Sequence, residues 1–169
     1  TKSFVSPTYY FGFYSGIAGV QYNKAYIVRV RAFSQGSWTA WGPDCTIYTP
    51  NVPQTFLVST NNSISGCSRL VNTIDPLLGA YEVRLAERYK FRVKFGVNTV
   101  EVERIGSRYF SAKDFKTAYA PGYQYATAYT IDVDVMYDGQ WQNNWGPLCA
   151  ITTPAPPIAR MAAQDITSN

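Results

Sequence analysis

The chain has 169 residues, of which 46% are hydrophobic and 15% charged, with a formal net charge of +4 and no histidine. It can bury a core, yet it lacks the commonest general base, the usual zinc ligand and every histidine-containing triad. Its three cysteines form no Cys-x-x-Cys pair, no phosphate-binding, nucleophile-elbow or dinucleotide fingerprint is present, and the basic residues are not gathered into dense runs. An enzyme, a metal centre, a cofactor and a nucleic-acid partner are therefore not expected, and no stretch approaches the roughly eighteen apolar residues of a membrane span.

Fourteen tyrosines, nine phenylalanines and four tryptophans, with twelve glycines and ten prolines between short runs, predict strands rather than helices. In chain order the first strand is 26–33, where Tyr26, Val28, Val30 and Ala32 share one face and Arg29 and Arg31 the other. Residues 48–54, with two prolines, read as a short stiff linker. Strand candidates at 55–59 and 70–74 follow. At 88–95 the inward set is Tyr89, Phe91, Val93 and Phe95, and the outward set Arg88, Lys90, Arg92 and Lys94 is entirely basic. Shorter candidates at 97–102 and 108–111 precede one helical turn at 112–117. Strand 129–136 turns Tyr129, Ile131, Val133 and Val135 inward and Asp132 and Asp134 outward, and 149–153 closes the set. This succession of short strands and turns predicts an all-β antiparallel sandwich.

The chain repeats itself. Trp41-Gly-Pro-Asp-Cys-Thr-Ile-Tyr-Thr-Pro50 recurs as Trp145-Gly-Pro-Leu-Cys-Ala-Ile-Thr-Thr-Pro154, identical at seven positions, with the cysteines 104 residues apart. Upstream, Tyr22-x-x-x-Tyr26-x-Val28-x-Val30 and Gly36-x-Trp38 match Tyr125-x-x-x-Tyr129-x-Ile131-x-Val133 and Gly139-x-Trp141. That period suits beads of small domains rather than a solenoid. The expected organisation is a C-terminal domain half over 1–50, a complete domain over 51–154 and a linker or tail over 155–169. Thr1 is then expected to fall inside a domain, with the polypeptide beginning upstream.

The Tyr-x-x-x-Tyr-x-[Val/Ile]-x-Val strand, followed by glycine and a final strand, resembles the fibronectin type III family. The closing Trp-Gly-Pro-x-Cys-x-Ile-x-Thr-Pro, together with Gly66-Cys67 and Leu78-Gly-Ala-Tyr81, resembles repeats near the C-termini of surface proteins of Flavobacterium-like, gliding and other Bacteroidota, cargo of the type IX secretion system. The tail Pro157-Ile-Ala-Arg-Met-Ala-Ala163 looks like the connector before their sorting domain. The resemblance implies tandem fibronectin-like sandwiches, the first incomplete. It also implies export to the cell surface or medium, and partners that include upstream repeats of the same polypeptide and, during export, the type IX machinery. A non-enzymatic spacer or stalk with a role in adhesion is the expected function. The alternative is a carbohydrate-binding accessory module of a secreted enzyme.

Export implies an oxidising compartment, in which Cys67 and Cys149 are expected to form a disulfide; the alternative is two buried thiols. Cys45 is left without a partner. Trp38, Trp41, Trp141 and Trp145 bracket the turn before the last strand in both copies, which favours packing, with a polysaccharide-contacting surface as the rival reading. The family's neighbouring middle and penultimate strands place Lys90 and Arg92 across from Asp132 and Asp134 as cross-strand charge pairs, the alternative being a free anion-binding face. Asp132, Asp134 and Asp138 do not wrap a calcium loop, so no metal is expected. Asn61-Asn-Ser63 is a formal glycosylation sequon, uninformative if the source is bacterial, as the resemblance implies.

Overall fold

The computed structural model describes residues 3, 5–8, 19–58, 67 and 69–158. The chain divides into two units, Thr1–Pro53 and Gln54–Asn169. The sequon at Asn61, and the connector and tail from residue 159 onward, lie outside the described residues.

In the first unit β1 (Ala25–Val28) is followed by a hairpin of β2 (Phe33–Ser34) and β3 (Ser37–Trp38), and then by β4 (Cys45–Tyr48), which pairs antiparallel with β1. The hairpin turns at Gln35 and Gly36, both with positive φ, as a type I′ turn requires. The expected strand 26–33 is thus interrupted at residues 29–32. There the carbonyls of Val30 and Ala32 accept hydrogen bonds from the N–H groups of Gly42 and Thr39, which belong to a segment folded back from the hairpin rather than to a regular ladder.

The second unit is a two-sheet sandwich. Its strands are β5 (Leu57–Val58), β6 (Arg69–Leu70), β7 (Leu78–Ala80), β8 (Arg88–Phe95), β9 (Asn98–Ile105) and β10 (Tyr109–Phe110). After the helix α1 (Ala112–Ala118) come β11 (Ala128–Tyr137), β12 (Gln140–Trp141) and β13 (Cys149–Thr152). One sheet has the order β10-β7-β5 and the other β6-β13-β11-β8-β9, with β12 also on β11. All pairs are antiparallel except β13 with β6. Strand β7 was not foreseen: Leu78-Gly-Ala80 is too short and too uniformly buried to show alternation. At Gly79 a Cβ would come within 3.1 Å of the Tyr109 ring on the neighbouring strand, so any larger residue requires that ring to shift by a few tenths of an ångström.

The core lies between the sheets. Tyr89, Phe91, Val93 and Phe95 of β8 and Tyr129, Ile131, Val133 and Val135 of β11 are buried, as their alternation predicts. Phe91 stacks on Phe110 of the facing sheet with ring centroids 5.0 Å apart; burying each such ring contributes roughly 2–3 kcal/mol. Ser111 caps α1, bonding the Asp114 N–H while the Asp114 carboxylate bonds the Ser111 N–H, and Phe115 on the buried side of the helix is fully enclosed. Phe115 closes one end of the sandwich within an aromatic group of Phe95, Phe110, Tyr119, Tyr123 and Tyr129. Seven residues would not hold a helix unaided, so this ring cluster is what fixes it.

The two units repeat each other bond for bond. Tyr26 accepts from the Gln21 N–H through its hydroxyl, and Tyr129 from the Gln124 N–H, the tyrosine corner of such sandwiches. Thr49 Oγ1 accepts from Lys24 and Thr153 Oγ1 from Thr127. Gly42 donates to Val30 and Gly146 to Val133. The register of β1 on β4, with Val28 opposite Cys45, is that of β11 on β13, with Ile131 opposite Cys149.

Candidate functional site

Of the residues singled out by the sequence, Lys90, Arg92, Asp132, Asp134, Trp141 and Trp145 meet on the outward face of β9, β8 and β11. The register sets Arg92 opposite Asp132 and Lys90 opposite Asp134 on one side, and Arg92 opposite Glu101 and Lys90 opposite Glu103 on the other. A basic strand therefore runs between two strands bearing acids. Arg92 forms a two-pronged ion pair with Asp132, Nε to Oδ1 at 2.9 Å and Nη2 to Oδ2, and Lys94 Nζ approaches the same carboxylate at 3.9 Å. The hydrogen bonds from Arg92 to Asp132 are the largest influence on its guanidinium and, against the opposing cost of burial, hold it above its ordinary pKa.

Lys90 behaves differently. Its ammonium lies 3.6 Å from Glu101 and 3.4 Å from Glu103, while Asp134 accepts from the backbone N–H groups of Asn143 and Asn144 at 3.2 and 3.3 Å. Arg88 pairs with Glu103 at 3.7 Å. Glu101 and Glu103 were missed by the sequence reading, although the alternation Glu101-x-Glu103 beside a basic strand was the available signal.

Asp132 and Asp134 are not solvated. They are 3% and 2% exposed, because residues 141–146 fold back over this face from the hairpin at Asp138 and Gly139. Two backbone bonds pin that segment, Gln142 N–H to the Val135 carbonyl and Gly146 N–H to the Val133 carbonyl. Of the three N–H groups left between them, Asp134 binds two, those of Asn143 and Asn144. Gly146 is required by close approach: a Cβ there would lie 1.8 Å from the Thr55 carbonyl oxygen.

The fold-back also places the tryptophans. The Arg92 guanidinium lies 3.8 Å from the Trp145 ring centroid and the Lys90 ammonium 4.3 Å from that of Trp141. In the first unit Arg31, at the position equivalent to Asp134, sits over both Trp38 and Trp41 at 4.8 and 4.5 Å. Each of the four rings thus has a cation against it, an interaction worth about 0.5–2 kcal/mol. The exchange of aspartate for arginine has a local reason. Two residues separate Trp38 from Trp41 and three separate Trp141 from Trp145. The longer loop presents Asn143 and Asn144 N–H groups that call for a carboxylate; the shorter one presents a pair of rings that accommodates a cation. Arg29, equivalent to Asp132, is paired with Asp44, where the second unit has Leu148.

Cys67 and Cys149 are joined by a disulfide, with Cα atoms 4.8 Å apart. It ties the segment leading into β6 to β13. Cys45 is free and exposed. Asp138 is an exposed turn residue with positive φ.

These features define the class: nearly all-β, antiparallel, with the second unit a disulfide-pinned sandwich. No protein-family model and no curated protein matches the chain. Among solved structures it is similar to the crystal structure of the FN1–FN3 domains of chicken CNTN1, at 14% identity and a TM-score of 0.40, over 82% of this chain and 46% of that one. The chain spans less than half the length of that neighbour.

Proposed function

We propose that the chain is a non-enzymatic, extracellular segment of one incomplete and one complete fibronectin type III-like repeat that bears load as a spacer within a larger secreted surface protein. The observation that carries this reading is the Cys67–Cys149 disulfide. It joins a segment near the start of the second unit to the last strand, so tension applied to the ends of the chain passes through the sulfur bridge and bypasses the intervening sandwich. The residues that looked like binding groups support the same reading, since carboxylates, bases and indoles on the outward face are engaged with one another. Export through the type IX machinery of a Bacteroidota species is supported by the repeated closing motif and by the tail.

Single-molecule pulling on the intact chain tests it. The bridge shields 82 positions of chain, about 290 Å of contour length at full extension. Oxidised protein is expected to withhold that length and reduced protein to release it; equal release in both states would sink the load-bearing role.

A second reading, polysaccharide adhesion, is favoured by one observation in the first unit. Phe33, Trp38 and Trp41 are 59%, 44% and 49% exposed and cluster around Arg31. A glycan array with the full chain, repeated with Trp38→Ala and Trp41→Ala, distinguishes the two: binding lost in the variants makes the chain an adhesive module.

A further inference from the structure

Cys45 occupies a site that, in the other half of the chain, is a cystine. The chain has three cysteines, and with Cys67 bonded to Cys149 no partner for Cys45 remains within it. Cys149 stands opposite Ile131 and Cys45 opposite Val28, in ladders that match residue for residue, after the same Trp-Gly-Pro and before the same Ile and Thr-Pro. On the outer edge of β13 lies β6, running parallel, with Ile151 opposite Arg69, Thr152 opposite Leu70, and the Val71 N–H donating to the Thr152 carbonyl at 2.9 Å. On the outer edge of β4, Ile47 and Tyr48 hold the equivalent places, and among the described residues no strand pairs with them.

We propose that the outer edge of β4 is an acceptor for a cysteine-bearing extended segment of the Cys-x-x-Leu-Val kind, pairing parallel at Ile47 and Tyr48 and closed by a disulfide to Cys45. The occupant is a strand from outside these 169 residues. A symmetric pair of copies that overlaps β4 along its whole length does not fit, because that antiparallel register sets Cys45 opposite Tyr48 and leaves the two thiols apart. The Cys67 segment of a second copy is already held, its cystine partner Cys149 being fully buried.

Two features of the edge select the occupant. Main-chain hydrogen bonding gives affinity for any extended peptide, and the cysteine sets the register. The bond forms by thiol–disulfide exchange. The Cys45 thiolate, having lost its proton to solvent, attacks the sulfur of an incoming cysteine that is itself in a mixed disulfide. The new S–S bond forms as the old one breaks, and the former holder leaves with the electron pair as a thiolate that takes up a proton. No net oxidation occurs, and the co-reactant is the disulfide the incoming cysteine carries. This goes beyond the spacer reading and holds or fails separately from it.

The experiment uses the full chain and the synthetic peptide Gly-Cys-Ser-Arg-Leu-Val-Asn, its cysteine activated as a thiopyridyl disulfide, with thiopyridone release and mass as readouts. A control peptide carries proline in place of leucine and valine, which removes the pairing N–H groups. The matched peptide is expected to label Cys45 about tenfold faster than the control, the factor that one or two net strand hydrogen bonds supply. It should also slow hydrogen exchange over residues 46–49, with neither effect in Cys45→Ser. Equal rates for the two peptides, or labelling without slowed exchange, would overturn the proposal. A Cys45-linked dimer forming without peptide would overturn it too, by making a second copy the occupant.

Discussion

Arg92 is where the outward face of the second unit converges. Its guanidinium meets a carboxylate that is 3% exposed and a tryptophan ring at once, and removing it leaves the Asp132 charge buried with Lys94, at 3.9 Å, as its remaining ion pair among the described residues. Breaking a buried pair from one side is costly because the remaining ion keeps its desolvation penalty. Arg92→Ala is therefore expected to lower unfolding free energy by about 3 kcal/mol, and Lys90→Ala, which loses half-exposed glutamate contacts and one ring contact, by about 1 kcal/mol. Urea titrations of both variants check the order, and an equal cost would refute it. Reversing the signs of Arg92 and Asp132 together is expected to recover only part of the loss, since the reversed pair no longer places a cation on Trp145. Reversing Lys90 and Asp134 is expected to recover nothing, because Asp134 serves two backbone N–H groups rather than Lys90.

At the scale of elements, α1 depends on its cap and on the residues that anchor it to the sheet. Asp114 receives hydrogen bonds from Ser111 N–H and Oγ, both at 2.8 Å, and from Arg104 Nη1 at 2.5 Å. Burial alone would raise its pKa; the Ser111 bonds, helped by the charges of Arg104 and Lys113, outweigh burial and hold the carboxyl below its ordinary value of 3.8. A carboxyl whose pKa is depressed by folding contributes stability that is fully present above the unfolded value and is lost as pH falls through the folded one. The stability difference between the native chain and Asp114→Asn is thus expected to be constant near neutrality and to shrink below about pH 4. Denaturation measured at intervals down to pH 2 follows it, and a gap that widened on acidification would contradict the assignment. The cap was not read from the sequence: Ser111-x-x-Asp114 is a capping pattern, but in so short a segment the strand signals on either side masked it.

For the molecule as a whole, the disulfide distinguishes the two units. It closes a loop of 82 positions in the second, a constraint on the unfolded chain worth about 4 kcal/mol in the chain-entropy account. The first unit has no bridge to lose. Reduction is expected to move the urea midpoint of 54–158 well downward and to leave that of 19–53 in place, as hydrogen exchange followed by mass spectrometry can read for each separately. A shift common to both would mean that the units unfold as one.

The sequence by itself determined the repeat, the long strands and their buried faces, because seven matching positions in ten and strict period-two alternation are local facts. Tyr89 through Phe95 and Tyr129 through Val135 needed nothing but their own spacing to declare which side chains go inward. The register of Lys90 and Arg92 against Asp134 and Asp132 could be anticipated once the strands were taken as neighbours. Only the tertiary structure decided what that face is for. The return of residues 141–146 across the sheet buries two aspartates that alternation assigns to solvent, and it brings cations onto rings from a strand about fifty positions earlier in the second unit, whereas in the first the cation, Arg31, is only seven and ten positions before its rings (38 − 31, 41 − 31). The one-residue difference between the two tryptophan spacings was legible, yet its consequence was not, since whether a loop presents N–H groups or ring faces depends on where the backbone is pinned. The pins join Gln142 to Val135 and Gly146 to Val133, 7 and 13 positions apart (142 − 135, 146 − 133), but where the segment can settle depends on the close approach of Gly146 to Thr55, from a distant part of the chain.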